Sequence, residues 1–323
     1  MTKQSWIRWT LGVLGAATAV VSGVTYARFR RDLRAARARL DAVDHEMVDT
    51  ARGPIEMATW GAGEIPVLSV HGIMGGYDQG LMLAQGWLDE EHFHVIAPSR
   101  FGYLGTPKPE TDASPAAQAD AFAALLDALG VNRVGVIATS AGGTSAVQFA
   151  LRHPDRCAGL VLVSSNAPSD DPFAMPPKPV MKTVFGSDFL FWLLTTHFRE
   201  QLHPMIGVPK DYALREEDLS KVTDVMDTLL PVSPRSAGAV HDAYVSNPDI
   251  NHDYAFDALT APTLVIGAVD DPLAAYADIK AMAEQMPHAR LRTVDEGGHM
   301  LLGDDGQLPL EIQAFLRETA SAR

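Results

Sequence analysis

The chain has 323 residues, 47% of them hydrophobic and 20% charged, which suits one large domain, or one domain with an insertion, around an ordinary buried core. Its net charge of −14 argues against a nucleic acid partner. The single cysteine, Cys157, excludes an internal disulfide and any cysteine-based zinc site, and its setting in DRCAGLVLV reads as a small hydrophobe at a strand's start.

The charge is unevenly spread: residues 1–40 carry +7, leaving −21 for the remainder. Between Arg8 and Arg28 lie nineteen uncharged residues, WTLGVLGAATAVVSGVTYA. As a helix they reach about 28 Å, near the hydrocarbon thickness of a bilayer. Trp6 and Trp9 flank one end, Tyr26 and Phe29 the other, as interfacial aromatics do. A signal peptide cleaved near Thr25-Tyr26-Ala27 is the competing reading. The six arginines of RFRRDLRAARAR favour a single-pass membrane anchor with the body on the cytoplasmic side; a secreted or periplasmic form is the alternative. Residues 28–50 read as a charged juxtamembrane helix, with Leu33, Ala36, Leu40 and Val43 on one face, so 1–52 is expected to stand apart from the body.

The body begins near Gly53. IEMATW reads as an edge strand, and PVLSVHGIMGG as a buried strand running into a glycine-containing loop. A helix through Leu81, Leu83 and Trp87 follows, then the strand FHVIAPS and the loop SRFGYLGTPKP. Ser114-Pro115 opens the next helix as N-cap and first turn, Phe122, Leu125, Leu126 and Leu129 supply its apolar stripe, and Gly130 ends it. Val134, Val136 and Ile137 form a short buried strand that breaks off in Thr139-Ser140-Ala141-Gly142-Gly143, with a helix from Thr144 to Leu151. AGLVLVSS is a continuous apolar run, as in a strand covered on both faces. From about Asn166 to Thr260 prolines cluster and amphipathic segments appear, over a length too great for a loop. PTLVIGAVDDP and LRTVDEGGHMLL then supply two more strands, the first ending in acids and the second in a Gly-Gly turn and a histidine. Strands alternating with helices predict an α/β fold with a doubly wound, mostly parallel sheet.

Strand, tight small-residue turn and helix are the context of a nucleophile elbow, and here the turn A-T-S-A-G carries Ser140, with Ala138 where the usual pattern has glycine. A serine hydroxyl needs a base, for which His299 is the candidate; Asp270 would hold the other ring nitrogen, with Asp271 adjacent as the alternative. Asp295 reads as a surface acid. An oxyanion would be held by the backbone N–H groups of Ile73 and Ala141. His71 more plainly supports the loop after its strand than moves protons. No HExxH or comparable cluster suggests a metal, and no lysine follows Gly75-Gly76 as in a phosphate-binding loop, so neither metal nor nucleotide cofactor is expected.

The elbow, the preceding His71-Gly72 loop, and the order Ser, Asp, His at strand ends together resemble the α/β-hydrolase superfamily over roughly residues 54–320. The resemblance implies a core in two parts, 53–166 and 261–323, and makes 167–260 a helical cap over Ser140. Phe189, Phe191, Trp192, Leu193 and Leu194 are candidate pocket lining, though simple packing of the cap explains each as well. In relatives the loop after FHVIAP often reads D-x-x-G-x-G-x-S; here Ser99 stands at the acid and Thr106 near the final serine. The resemblance implies a carboxylesterase-like serine hydrolase of an ester, thioester or lactone of a small-to-medium apolar acyl substrate, with a cofactor-free perhydrolase as a further alternative, and the anchor would fit a lipid-derived one. Carbon–carbon bond hydrolysis of a diketone-type substrate, or a catalytically silent membrane-tethered binding protein, are the alternatives.

Overall fold

The computed structural model describes residues 3–171, 174–252 and 254–322, with side chains described from residue 22 onward. An eight-stranded sheet runs through the molecule in the order β1-β2-β4-β3-β5-β6-β7-β8. β1 (His45–Thr50), β2 (Gly53–Trp60) and β4 (Phe93–Pro98) pair antiparallel in succession, while β3 (Ile65–Val70), β5 (Val134–Thr139), β6 (Cys157–Val163), β7 (Thr263–Ala268) and β8 (Ala289–Val294) continue from β4 in parallel. The central strands are apolar without interruption because both faces are covered. Val136, Leu162 and Val265 face a layer formed by α3 (Pro115–Ala128), α4 (Gly143–Arg152) and α10 (Tyr276–Gln285). Their neighbours Ile137, Val161 and Ile266 face α2 (Tyr77–Trp87) and α11 (Leu308–Ser321) on the other side.

The ends of the elements follow local chemistry. Ser114 caps α3, its side chain accepting from the Ala117 N–H at 3.1 Å with Pro115 in the first turn. Cys157 is buried at the start of β6, where burial pushes its thiol up to about 12.

Between β6 and β7 the chain leaves the sheet and builds a helical insertion, the segment expected as a cap, from α5 (Lys178–Phe185), α6 (Asp188–His197), α7 (Glu216–Thr228), α8 (Ser236–His241) and the single turn α9 (Asn247–Asp249), joined by shorter helical turns. Met181, Phe185, Phe191, Leu229, Val232 and Ala243 form the cap's own apolar cluster.

The N-terminal segment departs from expectation. α1 runs from Lys3 to Asp41. Among the described residues no helix is long and apolar enough to cross a membrane, and most of the anchor expected at residues 9–27 has its side chains outside the described ones. The flanking Trp6 and Trp9 likewise lie outside the described side chains. The far end of α1 packs on the protein itself: Phe29 and Leu33 are buried against Trp192 of α6, and Arg39 donates to the Leu230 carbonyl at 2.6 Å. The juxtamembrane helix expected over 28–50 stops at Asp41, and residues 45–50 are the true edge strand, paired with IEMATW. Only Val48 and Thr50 of β1 turn partly inward, which leaves little apolar alternation to read.

Candidate active site

β5 ends extended at Thr139, and the chain then turns sharply: Ser140 adopts a left-handed φ of 52° before the helical backbone of Gly143. A non-glycine residue held there costs about 1–3 kcal/mol, and the surroundings must enforce it. They do so by crowding. A Cβ on Gly142 would lie 2.7 Å from the His71 carbonyl oxygen and 2.8 Å from that of Val70, and a Cβ on Gly143 would collide with the Ser165 hydroxyl. Ala138 lies fully buried inside β5, ahead of the turn, so the methyl that departs from the usual pattern is absorbed by the core.

β3 ends at Val70, next to β5, and delivers the loop His71–Gly76 alongside the serine. Gly72 approaches so closely that a Cβ there would sit 3.1 Å from Ser140 Cβ. Among the described residues the Ile73 N–H has no hydrogen-bond acceptor, and buried Ala141 lies at the amino end of the helix that follows the serine, where free N–H groups favour negative charge. Both expected oxyanion donors therefore belong to backbone flanking Ser140. His71 is fully buried, and burial, with the Arg100 guanidinium second, holds it well below the usual histidine range. Its Nδ1 lies 2.7 Å from the Gly72 carbonyl, and its Nε2 accepts the Arg100 backbone N–H at 3.0 Å. That pattern fixes a neutral ring with the proton on Nδ1, a brace for the loop.

His299 follows β8 on a turn whose Gly297 and Gly298 both take left-handed φ values, 103° and 62°. Its Nδ1 lies 2.8 Å from Asp271 Oδ2. The other oxygen of Asp271 accepts the N–H groups of Leu273 at 2.8 Å and Ala274 at 3.0 Å, so the buried carboxylate has one orientation. Asp270, the favoured partner from the sequence, is not the residue on His299. Its carboxylate accepts the Gly297 N–H at 3.0 Å and the Gly298 N–H at 2.8 Å, tying down the turn that carries the histidine. The chain leaves the sheet after Ala268 with Val269 exposed, and the next two side chains are distributed by the turn rather than by strand alternation. Adjacent acids in a turn cannot be separated by periodicity. Asp295 is exposed, as expected.

Ser140, Asp271 and His299 thus stand beyond the carboxyl ends of β5, β7 and β8, the edge where open α/β sheets place their ligand sites. The alpha/beta hydrolase fold family matches residues 65–305. The chain belongs to the α/β-hydrolase fold family. It is similar to an alpha/beta hydrolase fold protein from Nakamurella multipartita, which superposes with a TM-score of 0.68 at 29% identity, covering 86% of this chain and 100% of that one. Among curated relatives, a poly(3-hydroxyalkanoate) depolymerase of Ectopseudomonas oleovorans is 28% identical over 61% of this chain and 65% of its own length. A 2-hydroxy-6-oxononadienedioate/2-hydroxy-6-oxononatrienedioate hydrolase of Dechloromonas aromatica is 30% identical over 56% of this chain and 61% of its own. The chain therefore spans less than two thirds of the length of these curated relatives.

In this α/β-hydrolase the helices between β6 and β7 reach both the loop that carries Ile73 and the turn that carries His299. Ile73 and Met74 pack against the cap cluster, and the His299 N–H donates to the Gly207 carbonyl at 2.9 Å. Gly207 takes a left-handed φ of 84°, and a Cβ on it would lie 2.0 Å from His299 Cβ. Of the candidate lining residues, Phe191 belongs to the cluster touched by Ile73, whereas Trp192 and Leu193 pack toward α1 and Phe189 is 39% exposed. Simple packing accounts for the latter three. Among the described residues no group of three or more His, Cys, Asp or Glu could hold a metal ion. Sequence reasoning passed over Gly207, Arg100, Asp242 and Arg235: a buried arginine or a closely packed glycine carries no periodic signal.

Proposed function

We propose that this α/β-hydrolase is a serine-dependent acyl hydrolase, acting on an ester, thioester or lactone with a small-to-medium apolar acyl part. The pairing of His299 with a fully oriented Asp271, on the sheet edge that carries the strained Ser140 turn, supports the reading above all else. Ser140 Oγ attacks the carbonyl while His299 Nε2 takes its proton, and Asp271 keeps the ring's Nδ1–H in place and stabilises the imidazolium. The Ile73 and Ala141 N–H groups receive the oxyanion. The imidazolium protonates the leaving group, and a water activated by His299 then releases the acid from Ser140. The apolar face that the cap turns to Ile73 and Met74 favours a neutral acyl group, and the likeness to a depolymerase named for a polyester agrees with ester chemistry.

Carbon–carbon bond hydrolysis is the second reading, favoured by the 30% identity to the Dechloromonas aromatica hydrolase. The test is labelling by a fluorophosphonate probe together with a panel of esters of graded chain length. Wild type is expected to label and to turn over esters, and Ser140→Ala and His299→Ala to do neither. A folded wild type that labels but prefers a vinylogous diketone over every ester would move the assignment to the second reading.

A further inference from the structure

Two buried arginines cross the seam between cap and body in opposite directions. Arg100, on the turn after β4 in the body, grips Asp242 of the cap with Nη1 on Oδ1 at 2.8 Å and Nη2 on Oδ2 at 2.5 Å. Arg235, in the cap before α8, grips Asp78 in the first turn of α2 with Nη1 on Oδ1 at 3.0 Å and Nη2 on Oδ2 at 2.7 Å. Arg235 is fully buried, and Arg100 and Asp242 nearly so.

Both guanidinium groups also donate to one short stretch of backbone, while Arg235 Nε holds the Pro231 carbonyl of the cap at 3.2 Å. Arg100 donates through Nε to the His71 carbonyl at 2.9 Å and through Nη2 to the Gly72 carbonyl at 3.0 Å. Arg235 donates through Nη1 to the Gly75 carbonyl at 2.7 Å. The Tyr103 hydroxyl donates to Asp242 and accepts the Met74 N–H at 3.3 Å. The loop is thus pinned at 71, 72, 74 and 75, on either side of Ile73.

Buried ion pairs return little net stability once desolvation is counted, and apolar side chains would seat the cap as firmly. What a two-pronged guanidinium–carboxylate pair does supply is direction. We propose that Arg100–Asp242 and Arg235–Asp78, with Tyr103, are positioning residues that orient the Ile73 N–H toward the developing oxyanion by locking its loop to the seated cap. This rests on the acyl-hydrolase reading. The cap is then a working part of the oxyanion site as well as its cover, and turnover depends on both pairs being made.

The experiment measures kcat and KM per fluorophosphonate-titrated site for ester hydrolysis. Tyr103→Phe keeps both ion pairs and loses the hydroxyl bridge; kcat is expected to fall about tenfold with KM within about threefold, and Asp242→Asn to lose about a hundredfold in kcat. The double variant Arg100→Met/Asp242→Leu replaces the pair by apolar packing, so it should regain the melting temperature lost by Asp242→Asn without regaining kcat. A merely structural role predicts the reverse, with fewer titratable sites but wild-type kcat at each. Wild-type kcat per site in Tyr103→Phe or in the double variant overturns the proposal while leaving the hydrolase reading intact. A wild type that neither labels nor turns over any ester removes the hydrolase reading itself.

Discussion

At the scale of single residues, the two neighbouring acids after β7 have different work. Asp271 orients His299 and Asp270 fastens the Gly297-Gly298 turn. Asp271→Asn should lower kcat by about ten-thousandfold, since an amide at that place favours the wrong imidazole tautomer. Asp270→Asn should cost about 1–2 kcal/mol of stability through weaker bonds to the two N–H groups and leave kcat within about tenfold. Steady-state kinetics and denaturant melts of both variants check this, and an inverted order would return Asp270 to the catalytic position. Gly207→Ala tests the cap side of the same histidine. With a Cβ falling on His299 Cβ, kcat is expected to drop about a hundredfold, and unchanged turnover would show that the loop can yield without moving the ring. The turns that carry Ser140 and His299 were legible in the sequence because they are built from small residues with few other uses. The choice between Asp270 and Asp271 was not, because hydrogen bonds to Gly297, Gly298, Leu273 and Ala274 make it, and those residues reach the acids only through folding.

At the scale of elements, local signals served well where a helix or strand carries its own ends. Ser114-Pro115 starts α3 as expected, and Ser114→Ala should cost about 1 kcal/mol, read as a lower denaturant midpoint with unchanged slope. A neutral result would mean that the tertiary contacts of Phe122, Leu125 and Leu126 fix the helix start without its cap. Signals failed where a partner defines the element. β1 shows almost no apolar alternation, and it is a strand because β2 offers it a free edge. The apolar stretch before Arg28 has nearly the length of a membrane span, yet it belongs to α1, whose far end is held by Phe29 and Leu33 against α6.

At the scale of the whole molecule, burial of ionisable groups predicts how stability responds to pH. Burial lowers the proton affinity of His71 far below normal, with Arg100 adding to it, and lowers those of His241 and His203 as well. The unfolded chain binds protons at these rings below about pH 6.5, whereas the folded chain resists them. Their neutral burial therefore costs nothing above that value, and stability falls as pH drops from about 6.5 toward the depressed folded values. Denaturant midpoints should decline between about pH 7 and pH 5, ahead of the carboxylates, which titrate near pH 4. A flat profile in that window would show that the folded protein takes up protons there as readily as the unfolded chain, contrary to the bonds of His71 with the Gly72 carbonyl and the Arg100 N–H.

The sequence by itself determined the mostly parallel sheet, the sharp turn at Ser140, the Gly-Gly turn before His299 and the helical insertion between β6 and β7, because each depends on periodicity, small-residue turns or segment length within a few tens of residues. Only the tertiary structure decided which acid meets the histidine, which strand closes the sheet, and how Arg100 and Arg235 bind cap to body around Ile73. Those outcomes rest on polar groups that are costly to bury alone and must find partners far away in sequence. Where a charge goes inside a protein is settled by the partner waiting for it there.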